Sequence, residues 1–204
     1  MDELKNLFSQ QGKLSKILTD YSTREGQTEM ALDINSAIQE RTNLIIEAGT
    51  GIGKTFAYLA PVLMNGKKTI ISTGTKTLQD QLYNRDLPLL ANVLGRPIST
   101  SLLKGRSNYL CLHRLDDAHS NDKSIINDLR IISEWKSQTD TGDLSELIGI
   151  SENSGVWPLV TCTNDNCPDP SYDKCYFFKA RKLAQNSDLS VINHHLLFAD
   201  MAMK

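Results

Sequence analysis

The chain has 204 residues, enough for one large or two small domains, and its 40% hydrophobic and 23% charged content is that of a globular protein able to bury a core. A net charge of −2 excludes a globally basic nucleic-acid binder, so contact with a polyanion has to come from local patches. The longest apolar stretch, Phe56 to Met64, is far too short to span a bilayer, and Met1-Asp2-Glu3-Leu4 lacks the basic start and apolar core of a signal peptide; a cytoplasmic protein without a membrane partner is expected.

In chain order, residues 2 to 40 read as helical, with Leu4, Leu7 and Phe8, then Leu14, Ile17 and Leu18 in successive stripes, interrupted by the polar link Thr19 to Thr28. A second helix is expected from Gln27 to Glu40, where Gln27 taken alone reads as a helix-start residue. Leu44-Ile45-Ile46-Glu47 is short, apolar and rich in branched residues and reads as a buried strand; Thr55 through Met64 reads as a helix. Between them lies Ala48-Gly49-Thr50-Gly51-Ile52-Gly53-Lys54-Thr55, a Walker A loop with Ala in place of the first Gly. Gly49, Gly51 and Gly53 let the backbone turn its N–H groups inward toward phosphate oxygens. Lys54 supplies a point charge for the β- and γ-phosphates, and the Thr55 hydroxyl a ligand for Mg²⁺. The spacing predicts a site for a nucleoside triphosphate.

Asn65-Gly66 ends that helix, and Lys67 to Thr73 reads as a strand closed by the turn at Gly74. Thr75 to Tyr83 and Leu87 to Leu94 read as two helices separated by a turn near Asp86, and Ser99 to Leu103 as a third strand. This alternation predicts an α/β fold with a parallel sheet, whose ligands collect at the carboxyl ends of its strands. The Walker A loop, Thr73-Gly74-Thr75 and Leu103-Lys104-Gly105-Arg106 all fall at such ends.

Beyond Asn108 the rhythm breaks. Tyr109 to Ala118 and Ser124 to Ser137 read as helices, Gln138 to Ser154 as polar with a short apolar element, and Trp157 to Phe178 as turn-rich. The strand-helix pattern returns with a helix at Phe177 to Gln185 and a strand at Leu189 to Asn193, followed by His194-His195-Leu196-Leu197. All four cysteines lie in the inserted region: Cys111, Cys162, Cys167 and Cys175. A zinc knuckle fits their spacing poorly, since only Cys162 and Cys167 form an acceptable pair; an iron-sulfur cluster tolerates looser spacing, and four unrelated thiols is the remaining alternative. Asn164-Asp165-Asn166, Pro168-Asp169-Pro170 and Asp173 suit a tight loop wrapped around a cluster and held folded by it. His194 and His195, adjacent after a strand, point to opposite sides and read as packing or hydrogen-bonding residues rather than metal ligands.

Five segments together resemble the N-terminal part of the iron-sulfur superfamily 2 DNA helicases of the XPD/DinG type, and within it the bacterial YoaA branch: Arg24 to Gln27, Glu47 to Thr55, Ile71 to Leu82, Leu103 to Cys111, and Asn193 to Leu197. The resemblance implies a RecA-like P-loop lobe with an incomplete parallel sheet, spanning 1–108 and 177–204, interrupted at 109–176 by a mostly helical iron-sulfur domain. It implies that Gln27 reads the adenine edge, and that ATP and Mg²⁺ sit on Ala48, Gly49, Thr50, Gly51, Ile52, Gly53, Lys54 and Thr55, with Lys54 and Thr55 in the catalytic role. Thr73, Thr75, Lys104 and Arg106 would contact single-stranded or forked DNA, and Cys111, Cys162, Cys167 and Cys175 would ligate a 4Fe-4S cluster.

The last cysteine gap is longer than usual in the family, which leaves Cys162 as a substitute for a ligand that relatives place nearer Pro168 to Tyr172. The family's Asp-Glu-Ala-His box and second lobe have no counterpart among these residues, so the chain alone is expected to lack helicase activity and to carry an exposed hydrophobic sheet edge. A non-catalytic nucleotide- and DNA-binding module, or a generic P-loop NTPase with a zinc-binding insertion, are the alternatives.

Overall fold

A computed structural model describes residues 2–19, 21–163, 167 and 173–202. The chain divides into two compact units, one reaching to Leu102 and taking in Ser187–His194, the other formed by Leu103–Asn186 and the residues from His195 on.

In the first unit, α1 (Asp2–Leu7) buries Leu4 and Leu7, with Phe8 buried just beyond it, as their spacing suggests; of the second expected stripe, α2 (Lys13–Ile17) buries Leu14, while Ile17 is exposed and Leu18 half-buried. The long helix α3 (Glu25–Glu40) starts two residues earlier than the sequence suggests and packs along α4 (Lys54–Asn65). Asn65 Nδ2 donates to Asn35 Oδ1 at 3.0 Å, fixing the register of the two helices at the far end from the Walker A loop. Ala57, Leu59, Ala60 and Leu63 of α4 are buried, and a leucine so buried contributes about 2 kcal/mol over an exposed one. Gly66, at φ 62, ends α4.

The sheet has three parallel strands in the order β1-β3-β2: β1 (Thr69–Thr73), β2 (Thr100–Leu102) and, in the middle, β3 (Leu189–Asn193). Ser101 and Ser190 hydrogen-bond to each other at 3.0 Å inside it, and the buried Gln79 donates to the Val191 carbonyl at 3.2 Å. Two expectations are corrected here. Leu44–Glu47 is not a strand: the sheet does not include it, and Ile45 is 98% exposed. A branched apolar run becomes a strand only when a neighbour takes up its backbone groups, and among the described residues none does. The segment instead borders an open groove of about 340 Å³ lined by Met30, Ile34, Ala37 and Ile38 of α3 together with Leu44 and Ile46.

The turn expected near Asp86 is also absent. Helix α5 (Lys76–Gln81) runs through a π-turn at Leu82–Asp86 directly into α6 (Leu87–Leu94). The Leu87 N–H reaches back five residues to the Leu82 carbonyl, a local widening beside Pro88, which has no N–H to continue the ladder. Asp86 is buried there, accepting from Gln81 Nε2 at 3.2 Å and Arg85 Nε at 3.0 Å.

The second unit is built from α7 (Leu112–Asp117), α8 (Lys123–Trp135), α9 (Trp157–Val160) and α10 (Tyr176–Asn186). Its own core gathers Tyr109, Leu110, Leu115, Ile132, Val156, Val160 and Tyr176. The helix expected from Tyr109 begins only at Leu112, because Tyr109 and Leu110 are drawn into antiparallel bridges with Asp143 and Thr161. Of the expected return over 177–204, only Ser187–His194 belongs with the sheet; α10 groups with this second unit. Helix α11 (His194–Ala202) follows β3 directly. The polar runs Asn164-Asp165-Asn166 and Pro168-Asp169-Pro170 lie outside the described residues. No helix among the described residues is long and apolar enough to cross a membrane.

Candidate nucleotide, DNA and metal sites

The Walker A loop leads into α4 through two left-handed glycines, Gly51 at φ 80 and Gly53 at φ 84; Gly49 does not need that freedom. Lys54 Nζ donates to the loop carbonyls of Ala48 at 3.0 Å and Gly49 at 2.8 Å. A cation gathered by its own loop marks where negative charge is favoured, since those carbonyls are weaker partners than phosphate oxygens. The Thr55 hydroxyl lies in the first turn of α4 and lowers the pKa of the Tyr58 phenol, which burial raises more strongly. Loop, ammonium and hydroxyl therefore fit a triphosphate with its Mg²⁺.

Two side chains from the start of α3 grip this loop. The buried Gln27 donates from Nε2 to the Gly53 carbonyl at 3.0 Å, and Arg24 donates from its guanidinium to the Gly51 carbonyl. The sequence signal for Gln27 is its place before the Walker segment. Arg24 carries no comparable signal of its own, although its spacing of three from Gln27 at a helix start puts both on one side.

At the carboxyl end of β1, the Thr73 hydroxyl donates to the Thr75 carbonyl at 3.1 Å, and Thr75 caps α5 by accepting the Leu78 N–H at 3.2 Å. Gly74, Thr75 and Lys76 are exposed. Ser72 Oγ and His194 Nδ1 are 2.7 Å apart, a hydrogen bond of the kind the sequence suggests for that histidine.

In the second unit, Lys104 is 1% exposed and its ammonium lies 2.7 Å from Asp143 and 2.9 Å from Ser145 Oγ. Its backbone N–H donates to the Tyr109 hydroxyl, whose pKa burial pushes up to about 12. The geometry makes Lys104 an internal brace rather than an open phosphate ligand. Arg106 stacks over the Phe177 ring at 4.8 Å and lies 3.9 Å from Cys162 Sγ, with Cys167 also in reach.

All four cysteines are free thiols. Burial pushes Cys162 up to about 11, Arg106 opposes that shift, and the neighbouring Cys111 and Cys167 add to it. Three of the four thiols are therefore electrostatic neighbours. Cys175 sits just before α10, its carbonyl accepting the Lys179 N–H at 3.0 Å. Among the described residues no three Cys, His, Asp or Glu side chains converge on a single ion.

A model of the DEAD/DEAH box helicase family matches residues 24–140, from the Arg24 that grips the loop into the second unit. The chain is 50% identical over its whole length to the ATP-dependent DNA helicase YoaA of Haemophilus influenzae and 47% identical, over 97% of the chain, to that of Escherichia coli. The Bacillus subtilis protein named 3'-5' exonuclease DinG is 32% identical over 92% of the chain. The chain spans about a third of the two YoaA proteins and 21% of the DinG protein. A Walker A loop gripped from the helix that precedes it, next to a parallel sheet, together with these matches, places the chain in the DEAD/DEAH box helicase family.

Proposed function

We propose that this chain is the nucleotide-binding portion of a YoaA-like ATP-dependent DNA helicase of the cytoplasm, with a 4Fe-4S domain at 109–176 set into its first motor lobe. The observation that carries the reading is the joint hold of Gln27 and Lys54 on the Walker A loop, which puts an amide beside the loop and a cation inside it. ATP and Mg²⁺ would be held by Ala48 through Thr55, with Lys54 neutralising phosphate charge and Thr55 completing the metal shell. Gln27 keeps its carbonyl oxygen for the adenine amino group while its Nε2 stays on Gly53.

Single-stranded or forked DNA would run past Thr73 and Thr75, whose loop offers exposed hydroxyl and backbone groups for phosphate. Arg106 supports the cysteine set, and Lys104 acts on DNA only indirectly, by fixing the segment that carries Arg106. Cys111, Cys162, Cys167 and Cys175 would hold the cluster, which when bound supplies the folding energy of a loop with little apolar core.

Calorimetric titration with Mg-ATP tests the core of the reading: binding that Lys54→Ala abolishes is expected, and equal binding by the variant overturns it. An anaerobic preparation should carry about four iron and four sulfide per chain. Stoichiometric zinc without sulfide would instead favour a P-loop protein with a zinc-binding insertion.

A further inference from the structure

Arg24 occupies the N-cap of α3, a position where Ser, Thr, Asp or Asn would ordinarily accept a helix N–H, and it makes no such cap. The backbone starts the helix unaided, with the Gln27 and Thr28 N–H groups donating to the Arg24 carbonyl at 3.0 and 3.3 Å. What the side chain does instead is cross to the Walker A loop and donate to the Gly51 carbonyl. Gln27, one turn on, does the same to Gly53 at 3.0 Å. The two side chains close on one spot: a Cβ on Gly53 would lie 2.2 Å from Gln27 Nε2 and 3.6 Å from an Arg24 guanidinium nitrogen.

In a trans peptide the carbonyl and the following N–H point in opposite directions. A donor that holds the Gly51 carbonyl on the α3 side therefore turns the Ile52 N–H to the other side; the Gly53 carbonyl accepts both Gln27 Nε2 and the Ala57 N–H of α4 at 3.2 Å, which together aim the Lys54 N–H. N–H groups turned to one side of a loop that contains left-handed glycines make a concavity suited to an anion. We propose, resting on the nucleotide reading above, that Arg24 is a positioning residue of the phosphate cradle, setting with Gln27 the peptide planes whose Ile52 and Lys54 N–H groups receive the phosphates of a nucleotide. It acts through the loop and is indifferent to the base.

The test is titration of the whole chain with Mg-ATP and, separately, with inorganic tripolyphosphate, combined with amide NMR of Ile52 and Lys54. Arg24→Ala should weaken both ligands by the same factor, about tenfold, as expected for loss of one charge-assisted hydrogen bond. The Ile52 and Lys54 amide resonances, displaced together when tripolyphosphate saturates the unaltered chain, should move far less in the variant. Arg24→Gln keeps a donor without the fork and guards against an alanine variant that fails to fold; it should fall between. Unchanged affinity, a loss confined to ATP, or amide displacements of full size in the variants would overturn the role of Arg24. Binding of neither ligand by the unaltered chain would overturn the nucleotide reading itself.

Discussion

Gly53 carries two constraints at once. Its φ of 84 is a backbone state that costs an L side chain about 1 to 2 kcal/mol, and any Cβ there would displace Gln27 Nε2. Gly53→Ala should therefore lower stability by about that amount in a urea titration and also break the Gln27 hold, so that ATP affinity falls even where the chain remains folded. The spacing of the Walker pattern is enough to mark that glycine, because the pattern itself encodes the turn. Lys104 shows the opposite case: nothing in the sequence links it to Asp143, yet they form the buried pair of the second unit. Removing one partner of a buried pair leaves the other charge stranded, so Lys104→Met should destabilise by about 3 kcal/mol, and the double variant Lys104→Met, Asp143→Asn, which keeps an oxygen to accept from the Ser145 N–H and hydroxyl, should regain most of it. A double variant as unstable as the single one would refute the pairing.

Elements are legible in the sequence where period and neighbours agree. Strand β3 runs over the expected Leu189–Asn193 because it is central and buried, and α4 over nearly the expected span because glycine-bound ends bracket it. Leu44–Glu47 shows the limit: the pattern of a strand is in its residues, but pairing is a property of what lies beside it. Exposed apolar backbone in an extended segment is an association hazard. Ile45→Lys should suppress concentration-dependent light scattering of the chain without lowering its melting temperature. The turn expected at Asp86 gives way for a related reason, since burial of the carboxylate against Gln81 and Arg85 outweighs the preference of Asp and Pro for a bend. The starts of β2 and β3 are joined by Asp188, whose carboxylate accepts from the Ser99 hydroxyl at 2.7 Å and the Ser99 N–H at 3.1 Å, and these bonds hold its pKa below the ordinary value. A lowered carboxylate pKa gives stability that is complete above the unfolded value near 4 and is lost as pH falls through the folded one. Asp188→Asn should flatten that acid limb of the stability profile and lower the neutral-to-alkaline limb by a constant amount without changing its slope.

At the scale of the molecule, each of the two units has a core of its own. One gathers Leu59, Leu87, Leu189 and their neighbours in the first unit, the other Tyr109, Ile132 and Val160 in the second. Ligand binding stabilises the unit it touches. On the function proposed above, calorimetric melting should resolve two transitions, one raised by Mg-ATP and the other lowered by stripping metal with a chelator; a single transition moved by both would show that the units melt together. The sequence breaks its rhythm only after Asn108, whereas the compact units divide at Leu102 and again at Ser187, and α10 has the same amphipathic pattern whichever core it serves.

The strand order has a consequence in time. Neither β1 nor β2 pairs with the other; both wait for β3, which a ribosome delivers only after the whole stretch Leu103–Asp188 has been made. At ordinary elongation rates that interval is on the order of ten seconds, long compared with helix formation or collapse. The second unit, by contrast, has most of its core in hand by Tyr176. The thiol-bearing unit therefore has the opportunity to fold before the sheet that supports the nucleotide loop, and a nascent chain halted short of Leu189 would present two unpaired strands to whatever chaperone or protease meets it first.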